Sequence, residues 1–211
     1  MNLIREKKYK PDETRERILE AALTLCQTHG YANASTLDIA KEAGVSEGSI
    51  FYHFGNKSNL FAALGARFGE RVVAAMRGDA QDLAELEPGI MITRSFELAG
   101  KEGLIIQQLG LPSTSPDTEA FMRADRDVVV DFIEAVLRAH QKLGRLDDID
   151  IPLSASLGYA AVCDALMRTY NSQEPVDRDR ILAETIRFVR AAFGYTPSDA
   201  TPASEDKTDV R

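Results

Sequence analysis

Apolar residues recur every three to four positions along most of the chain, and strictly alternating segments are scarce. The first apolar stripe consists of Ile18, Ala22, Leu25 and Cys26, and Gly30 then provides a helix stop. Two short helical segments follow, over residues 37–43 and 50–54, and Asn56 opens a longer one. This spacing predicts helices rather than strands in the N-terminal part.

The C-terminal part continues the same spacing in longer segments. Pro88 lies where a helix can begin, because its fixed φ suits the first turn. The composition of residues 110–116 predicts a loop, after which a long helix carries Phe121 to Leu137 and stops at Gly144. Two more helices are predicted over residues 153–170 and 176–193. The whole pattern predicts an all-α protein of about nine helices.

The final helix carries two adjacent apolar stripes, whereas a helix covered on one side needs only one. These stripes are Ile181, Thr185, Phe188 and Ala192, and beside them Leu182, Ile186, Val189 and Phe193. In the preceding helix, small residues recur near helical spacing, namely Ser154, Gly158, Ala161 and Ala165. Both features favour a homodimer through the last two helices, which form a four-helix bundle. Burial of both helices in a monomer core is the alternative.

Residues 35–57 have the pattern of a helix-turn-helix. Ser35 can cap a first helix with Asp38 as its capping-box partner, and Gly44 can adopt the left-handed conformation of a tight turn. Ser46 can cap a second helix, whose Ile50 would pack into the junction. This second helix is roughly 10 Å long and fits the major groove of DNA, which is about 12 Å wide.

Side chains on and around the second helix suit DNA. Glu47, Gly48 and Ser49 are short or polar, and Gly48 lets the backbone approach the bases. Donors suited to phosphate surround them, namely Thr36, Ser46, Tyr52, His53 and Lys57. Lys57 falls in the first turn of the next helix, whose free N–H groups also favour phosphate. The alternative is a helix pair that serves only as a structural corner.

The run from Arg15 to Leu60 resembles the DNA-binding region of the TetR family of transcriptional regulators. The matching residues are Ile18 through Gly30-Tyr31, Thr36, Asp38-Ile39-Ala40, Ala43-Gly44-Val45-Ser46, Gly48-Ser49-Ile50, Tyr52-His53-Phe54, Lys57 and Leu60. The resemblance implies an N-terminal three-helix DNA-binding domain, a C-terminal helical ligand-binding and dimerisation domain, and a homodimer. It also implies DNA contacts by Thr36, Ser46, Gly48, Ser49, Tyr52, His53 and Lys57. Position 51 is often Tyr in this family, and we expect Phe51 to be packed instead of binding phosphate.

Charge divides unevenly along the chain. There are 25 Lys and Arg against 33 Asp and Glu, a formal net charge of −8. Residues 1–57 contain 8 of each sign, so the acidic excess lies wholly within residues 58–211. We therefore expect a DNA-binding domain over residues 13–57, preceded by a flexible basic arm over 1–12 that either contacts DNA or is simply solvated, and the two together are neutral. Residues 58–194 would form the acidic ligand-binding and dimerisation domain, and 195–211 a disordered tail.

Other classes of protein fit the sequence poorly. Two cysteines are too few for a disulfide scaffold, and no secretory signal or membrane-spanning run is present, so we expect a cytoplasmic protein without a membrane partner. Gly44 to Gly48 matches the G-x-S-x-G pattern of hydrolases, but that motif needs a strand before it and here a helix is predicted. The three histidines lack the spacing of metal ligands. No catalytic residue, cofactor or metal is therefore expected.

The expected function is that of a DNA-binding transcriptional regulator that responds to a small molecule. Its double-stranded DNA operator would be an inverted repeat, and the ligand would release a repressor dimer by favouring another spacing of the reading helices. A ligand-responsive activator, and a helical ligand-binding module with a purely structural helix-turn-helix, are the alternatives. Candidate ligand contacts are Met91, Arg94, Phe96, Phe121, Met122, Phe132, Tyr159 and Met167. Such residues at helical spacing also fit core packing.

Overall fold

The computed structural model describes residues 11–195, and these residues form nine α-helices, two short 3₁₀-helices and no strand. The α-helices are α1 Pro11–His29, α2 Thr36–Ala43, α3 Glu47–Phe54, α4 Lys57–Arg77, α5 Pro88–Glu102, α6 Ile105–Leu109, α7 Pro116–Lys142, α8 Ile151–Tyr170 and α9 Arg178–Ala192. The 3₁₀-helices are Tyr31–Asn33 and Leu83–Glu85. The all-α prediction is confirmed. Within the described range, no helix combines the length and the apolar character needed to cross a membrane.

The N-terminus of α1 lies earlier than the sequence suggested. The predicted arm and tail fall mostly on residues 1–10 and 196–211, which are outside the described residues. The arm was expected to reach residue 12, but α1 already begins at Pro11. Proline at the first helical position sacrifices no hydrogen bond, and Asp12 and Glu13 favour the positive end of the helix dipole. The helix therefore begins two residues inside the range that the sequence predicts for the arm.

The described residues divide into two compact units. The first unit comprises residues 11–74 and 98–129, and the second comprises residues 75–97 and 130–195. The chain passes between the units within α4, α5 and α7. The predicted domain boundary between residues 57 and 58 does not coincide with this division, because the first turns of α4 share a core with α1.

The core of the first unit joins α1 to α4 with α6 and the start of α7. Its buried side chains include Ile18, Ile39, Ile50, Phe61, Leu109 and Phe121. Two glycines of α4 allow a close crossing with α7, since a Cβ at Gly65 would lie 2.1 Å from the carbonyl oxygen of Phe121. A Cβ at Gly69 would lie 2.9 Å from the carbonyl oxygen of Asp125. These glycines thereby hold the start of α7 against the N-terminal helices.

The core of the second unit joins α5, the C-terminal half of α7, α8 and α9. Its buried side chains include Phe96, Leu137, Ile151, Ala155, Val189 and Phe193. A Cβ at Gly158 would lie 2.9 Å from Cζ of Phe193, and Ala165 is buried in the same core. These two small residues of α8 therefore accommodate α9 of the same chain, and the small-residue stripe is not by itself support for a dimer.

Candidate nucleic-acid interface

The start of α2 is fixed by the predicted capping residue. Ser35 Oγ accepts a hydrogen bond from the N–H of Asp38 at 3.1 Å, and its hydroxyl donates to the Asp38 carboxylate. This hydrogen bond lowers the pKa of Asp38, because it stabilises the charged carboxylate. The cap satisfies an N–H group that the first turn of a helix leaves unpaired.

The turn between α2 and α3 depends on Gly44. This residue has φ 64° and ψ 41°, a left-handed conformation that a Cβ disfavours. The N–H of Val45 donates to the Ala40 carbonyl at 3.0 Å, as expected where a left-handed residue ends a helix. Arg17 of α1 donates from Nη1 to the Ala43 carbonyl at 3.2 Å, which ties the end of α2 to α1.

One face of α3 is buried and the other is exposed. Ile50 is fully buried, and Arg15 of α1 covers the ring of the buried Phe54 at 5.2 Å from the ring centroid. Tyr52 is 75% exposed and Phe51 is 48% exposed. The expectation that Phe51 is packed is wrong, because position 51 lies about 100° around the helix from the core-facing Ile50. Its ring instead adds apolar surface to the exposed face.

Ser46 occupies the N-cap position of α3, but its side chain accepts no hydrogen bond from the helix backbone. Its hydroxyl instead lies 2.9 Å from the hydroxyl of Ser49. The predicted side-chain cap is therefore wrong, since Ser46 Oγ pairs with Ser49. The two hydroxyls lie at the positive end of the α3 dipole, where an anion such as phosphate is favoured.

Thr36 and Glu47 connect the N-terminal ends of α2 and α3. The Thr36 hydroxyl donates to Oε1 of Glu47 at 2.6 Å. Gly48 follows in the exposed first turn of α3, where a Cβ would meet nothing closer than Ser46 Oγ at 3.8 Å. This turn therefore presents a carboxylate and an unobstructed stretch of backbone.

Tyr52 and His53 complete the surface around α3. Their ring centroids are 5.1 Å apart, and the rings are nearly perpendicular at 85°. Seven of the eight predicted DNA-contact residues thus belong to α3, to its N-cap or to a side chain bonded to it: Thr36, Ser46, Glu47, Gly48, Ser49, Tyr52 and His53.

Lys57 differs from these seven residues. Its Nζ lies 4.2 Å from the centroid of the Tyr31 ring and 3.9 Å from Oδ2 of Asp117. The Tyr31 hydroxyl donates to the same oxygen at 2.7 Å, and Ser58 donates to Oδ1. Asp117, at the start of α7, is only 7% exposed. Lys57 therefore belongs to a polar cluster that links the starts of α4 and α7 to the 3₁₀-helix after α1. Sequence reasoning did not identify Asp117.

The candidate ligand contacts are divided between the two units. Phe121 and Met122 lie in the first unit, whereas Met91, Arg94, Phe96, Phe132, Tyr159 and Met167 lie in the second. Met91, Phe96 and Phe132 are buried, whereas Met167 is exposed. Arg94 Nη1 donates to the carbonyls of Met76 and Arg77, both at 2.9 Å, so this guanidinium caps the C-terminus of α4.

The fold and the α2–α3 geometry are those of a helix-turn-helix DNA-binding protein. Residues 18–64 match the family described as bacterial regulatory proteins, tetR family. The chain is 24% identical over 147 residues to the HTH-type transcriptional regulator UidR of Escherichia coli (strain K12), covering 68% of this chain and 75% of UidR. It is 42% identical over 82 residues to the HTH-type transcriptional repressor AcnR of Corynebacterium glutamicum, covering 35% of this chain and 44% of AcnR.

Solved structures share the fold. The transcriptional regulator FadR from Bacillus subtilis, in complex with stearoyl-CoA, has a TM-score of 0.60 at 18% identity. The match covers 84% of this chain and 98% of the FadR chain. Residues 18–64 thus match the DNA-binding region of the tetR family, the chain is similar to curated transcriptional regulators, and it shares its helical fold with solved TetR-family structures.

Proposed function

We propose that this regulator is a homodimeric repressor that binds an inverted-repeat DNA operator and is released by a small molecule. The observation that carries the proposal is the exposed face of α3, where Phe51 and Tyr52 are exposed although Ile50 of the same helix is buried. In a helix pair that served only as a structural corner, burial of these rings would be favourable. Their exposure supports a face that is covered by a partner instead.

The chemistry of this face suits DNA. The Tyr52 hydroxyl, His53 and one hydroxyl of the Ser46–Ser49 pair are donors for phosphate oxygens, and Thr36 becomes one when it releases Glu47. Gly48 allows close approach of the backbone, and Glu47 can accept a hydrogen bond from the amino group of cytosine. Phe51 offers an apolar contact for the methyl group of thymine. Lys57 supports the interface through Tyr31 and Asp117, which already engage its ammonium group.

Exposed apolar side chains on α8 and α9 support a homodimer. Leu157 of α8 is 61% exposed and Phe188 of α9 is 58% exposed, and Leu153 is exposed on the same helix as Leu157. Phe188 belongs to the first of the two predicted stripes of α9, while Val189 and Phe193 of the second are buried in the chain's own core. A two-fold axis would pair these side chains and set two α3 helices about 34–36 Å apart, one turn of DNA.

Release by a small molecule is the proposed control. The FadR relative is solved with stearoyl-CoA, and AcnR is named a repressor, which supports both a small-molecule effector and repression. The ligand would shift the dimer to the state it binds better, by no more than its difference in affinity for the two states. A DNA operator also requires a cytoplasmic site of action. The alternative is that the ligand makes the protein an activator of transcription.

Binding to the DNA upstream of the protein's own gene tests the proposal. The full chain is titrated against this DNA and a scrambled duplex by fluorescence anisotropy at several salt concentrations. A hydrogen bond to a charged group contributes about 1.5–3 kcal/mol, so Ser46→Ala with Ser49→Ala lowers affinity at least about tenfold. The double variant keeps the wild-type salt slope, because no cation is removed. Ser172→Ala, in the exposed loop before α9, is the matched control and leaves binding unchanged.

The outcomes separate the candidate functions. Equal affinity for upstream and scrambled DNA, unaffected by the serine variants, would favour the purely structural helix-turn-helix. Specific binding that strengthens upon ligand addition, with rising transcription, would favour the activator.

A further inference from the structure

The first unit contains a cavity of about 220 Å³ between α1, α4, α6 and α7. Its apolar wall consists of Leu23, Leu64, Phe68, Ile105, Leu109 and Phe121. Three charged side chains complete the lining, namely Glu20, Arg67 and Arg71. Of the eight ligand contacts expected from the sequence, Phe121 lines this cavity and the other seven do not.

Arg67 offers a hydrogen-bond donor that no described residue uses. Its Nη1 is buried and donates no hydrogen bond within the described part of the chain. Its nearest ion-pair partner is Oε2 of Glu16, at 3.5 Å, while Nη2 lies 3.2 Å from Oε2 of Glu20. A buried donor without an acceptor is unfavourable, and a carboxylate is the acceptor that a guanidinium binds best. An anionic group within hydrogen-bond distance would therefore supply the acceptor that Glu16, at 3.5 Å, does not.

An anionic ligand at this cavity has to replace a carboxylate of the chain. Two arginines and one glutamate line the cavity, and the arginines already pair with three carboxylates, Glu16 and Glu20 on Arg67 and Glu102 on Arg71. Glu16 and Glu20 are more than half exposed, so their ion pairs with Arg67 are weak and can be exchanged. Arg71 pairs in the same way with Glu102 of α5, so what distinguishes Arg67 is its buried Nη1, which makes no hydrogen bond to a described residue.

The size of the cavity limits the ligand. Its volume of about 220 Å³ equals roughly seven waters at about 30 Å³ each, and is below the usual range for drug-sized ligands. The apolar wall requires a hydrocarbon or aromatic body beside the anionic group. Short-chain aliphatic or aromatic carboxylates of about eight to ten non-hydrogen atoms satisfy both conditions.

We infer that this cavity binds a small carboxylate with an apolar body, whose carboxylate pairs with Arg67 in place of Glu16 and Glu20 of α1. Exchange of these partners removes the ion pairs between α4 and α1, the helix whose Arg17 holds the end of α2. A ligand at this site thus acts directly on the support of the helix-turn-helix. The regulatory half of this inference rests on the proposed function, whereas the binding half does not.

Calorimetry on the full chain tests the site with hexanoate and benzoate as probes. The comparison ligands are acetate, which lacks the apolar body, and 1-hexanol and hexylamine, which lack the anion. Hexanoate or benzoate is expected to bind with a stoichiometry of one per chain, and at least tenfold more tightly than each comparison ligand. Arg67→Gln is expected to weaken binding at least tenfold, because it removes the charge at similar size. Arg123→Gln, at an exposed α7 arginine that pairs with Glu119, is the control and leaves binding within twofold.

A second variant addresses the cavity itself. Leu23→Phe adds volume to the half-buried wall position of α1 and is expected to weaken hexanoate binding without loss of helical signal. The inference is overturned if neither carboxylate binds at millimolar concentration, if 1-hexanol binds as well as hexanoate, or if Arg67→Gln binds like the wild type. If Arg67→Gln fails to fold, the comparison of hexanoate with 1-hexanol binding to the wild type decides whether the carboxylate is required.

DNA binding is measured separately by anisotropy. Saturating hexanoate is expected to weaken operator binding of the wild type and not of Arg67→Gln. Hexanoate binding without any specific DNA binding would overturn the proposed function and leave the site intact. Specific DNA binding that hexanoate leaves unchanged, despite its binding, would overturn the regulatory half of the inference.

Discussion

Gly44 and Gly48 lie four residues apart in the helix-turn-helix but have opposite backbone requirements. Gly44 is left-handed at φ 64°, where any side chain causes strain. Gly48 lies inside α3, and a Cβ there has its nearest neighbour at 3.8 Å. Alanine therefore costs stability at position 44 only, whereas at position 48 it would stand between the α3 backbone and DNA.

Gly48→Ala is expected to stabilise the fold and to weaken DNA binding. Alanine in a helix is favoured over glycine by about 0.5–1 kcal/mol, so the free energy of unfolding in urea should rise by that amount. The added methyl group keeps the backbone from the bases, and operator affinity should fall at least tenfold. Gly44→Ala is the matched comparison, with stability lower by about 1 kcal/mol and unchanged affinity of the folded protein. A Gly48→Ala variant that binds DNA like the wild type would remove position 48 from the interface.

Tyr52→Phe is expected to weaken operator binding without changing stability. Tyr52 is 75% exposed, so removal of its hydroxyl leaves the folded core untouched. A lost hydrogen bond to a phosphate corresponds to about 1.5–3 kcal/mol, which anisotropy would register as a tenfold or larger loss. Tyr170→Phe is the control, because that hydroxyl donates to the Phe96 carbonyl at 2.8 Å and its loss lowers the melting temperature instead. Unchanged operator affinity in Tyr52→Phe would contradict the proposed phosphate contact.

At the scale of single residues, local rules predicted only part of the motif. The cap at Ser35 and the left-handed Gly44 follow from nearby backbone geometry, so the sequence was sufficient for them. Local rules did not predict the exposure of Phe51 and Lys57, because it depends on which residues of other helices pack beside them. For Lys57 the deciding partner is Asp117, 60 positions away in sequence. No periodic pattern carries that information.

Among the helices, the polar cluster around Asp117 joins three elements of the first unit. Its carboxylate accepts hydrogen bonds from Tyr31 and Ser58, and Lys57 completes the charge balance. A buried carboxylate requires such partners, because an unpaired charge in the interior is strongly unfavourable. The start of α7 is thereby tied to the helix that follows the helix-turn-helix.

Tyr31→Phe is expected to lower the free energy of unfolding near pH 7 by about 0.5–1.5 kcal/mol, the usual value of one hydrogen bond. Burial and the hydrogen bond to Asp117 raise the pKa of Tyr31 above its usual value of 10. A raised pKa means that the contribution is complete below pH 10 and is lost as pH rises through the folded-state pKa. The difference between wild type and variant in urea unfolding should therefore shrink above pH 10.

The alkaline comparison needs the wild type and the variant together. Cys26 also titrates in this range, since burial raises its pKa to about 11, and it does so in both proteins. The difference between the two unfolding curves removes the part of this loss that both proteins share, and the Coulombic coupling of Cys26 to Tyr31 stays in it. If the difference in free energy of unfolding between wild type and Tyr31→Phe stays constant from pH 7 to pH 11, the hydrogen bond from the Tyr31 hydroxyl to Asp117 does not stabilise the fold.

Helices with a long apolar stripe were predictable, but two features of their arrangement were not. α6 has five residues, too few for a periodic pattern, although its Ile105 and Leu109 are buried. The close crossing of α4 and α7 depends on Gly65 and Gly69, whose spacing of four residues was a usable signal. Small residues indicate a close neighbour without saying which one, as Gly158 and Phe193 also demonstrate.

For the whole molecule, the charge of −8 does not oppose a DNA-binding function. Residues 1–57 are neutral in total, and the acidic excess lies in residues 58–211. Repulsion between that part and phosphates acts on every DNA sequence alike, whereas the contacts of α3 depend on the operator. An acidic body thus opposes DNA contact by surfaces other than the α3 face, which lowers non-specific binding through those surfaces.

Phe188→Asp is expected to convert the protein from dimer to monomer and to weaken binding to a complete inverted repeat by about a hundredfold or more. A charge in place of an exposed ring opposes burial of this face against a second copy, while the chain's own core keeps Val189 and Phe193. Leu143→Asp is the control, because Leu143 is equally exposed but lies after α7. Light scattering gives the oligomeric state, and anisotropy on whole and half operators gives the affinities. A Phe188→Asp protein that remains dimeric would show that copies associate through another surface.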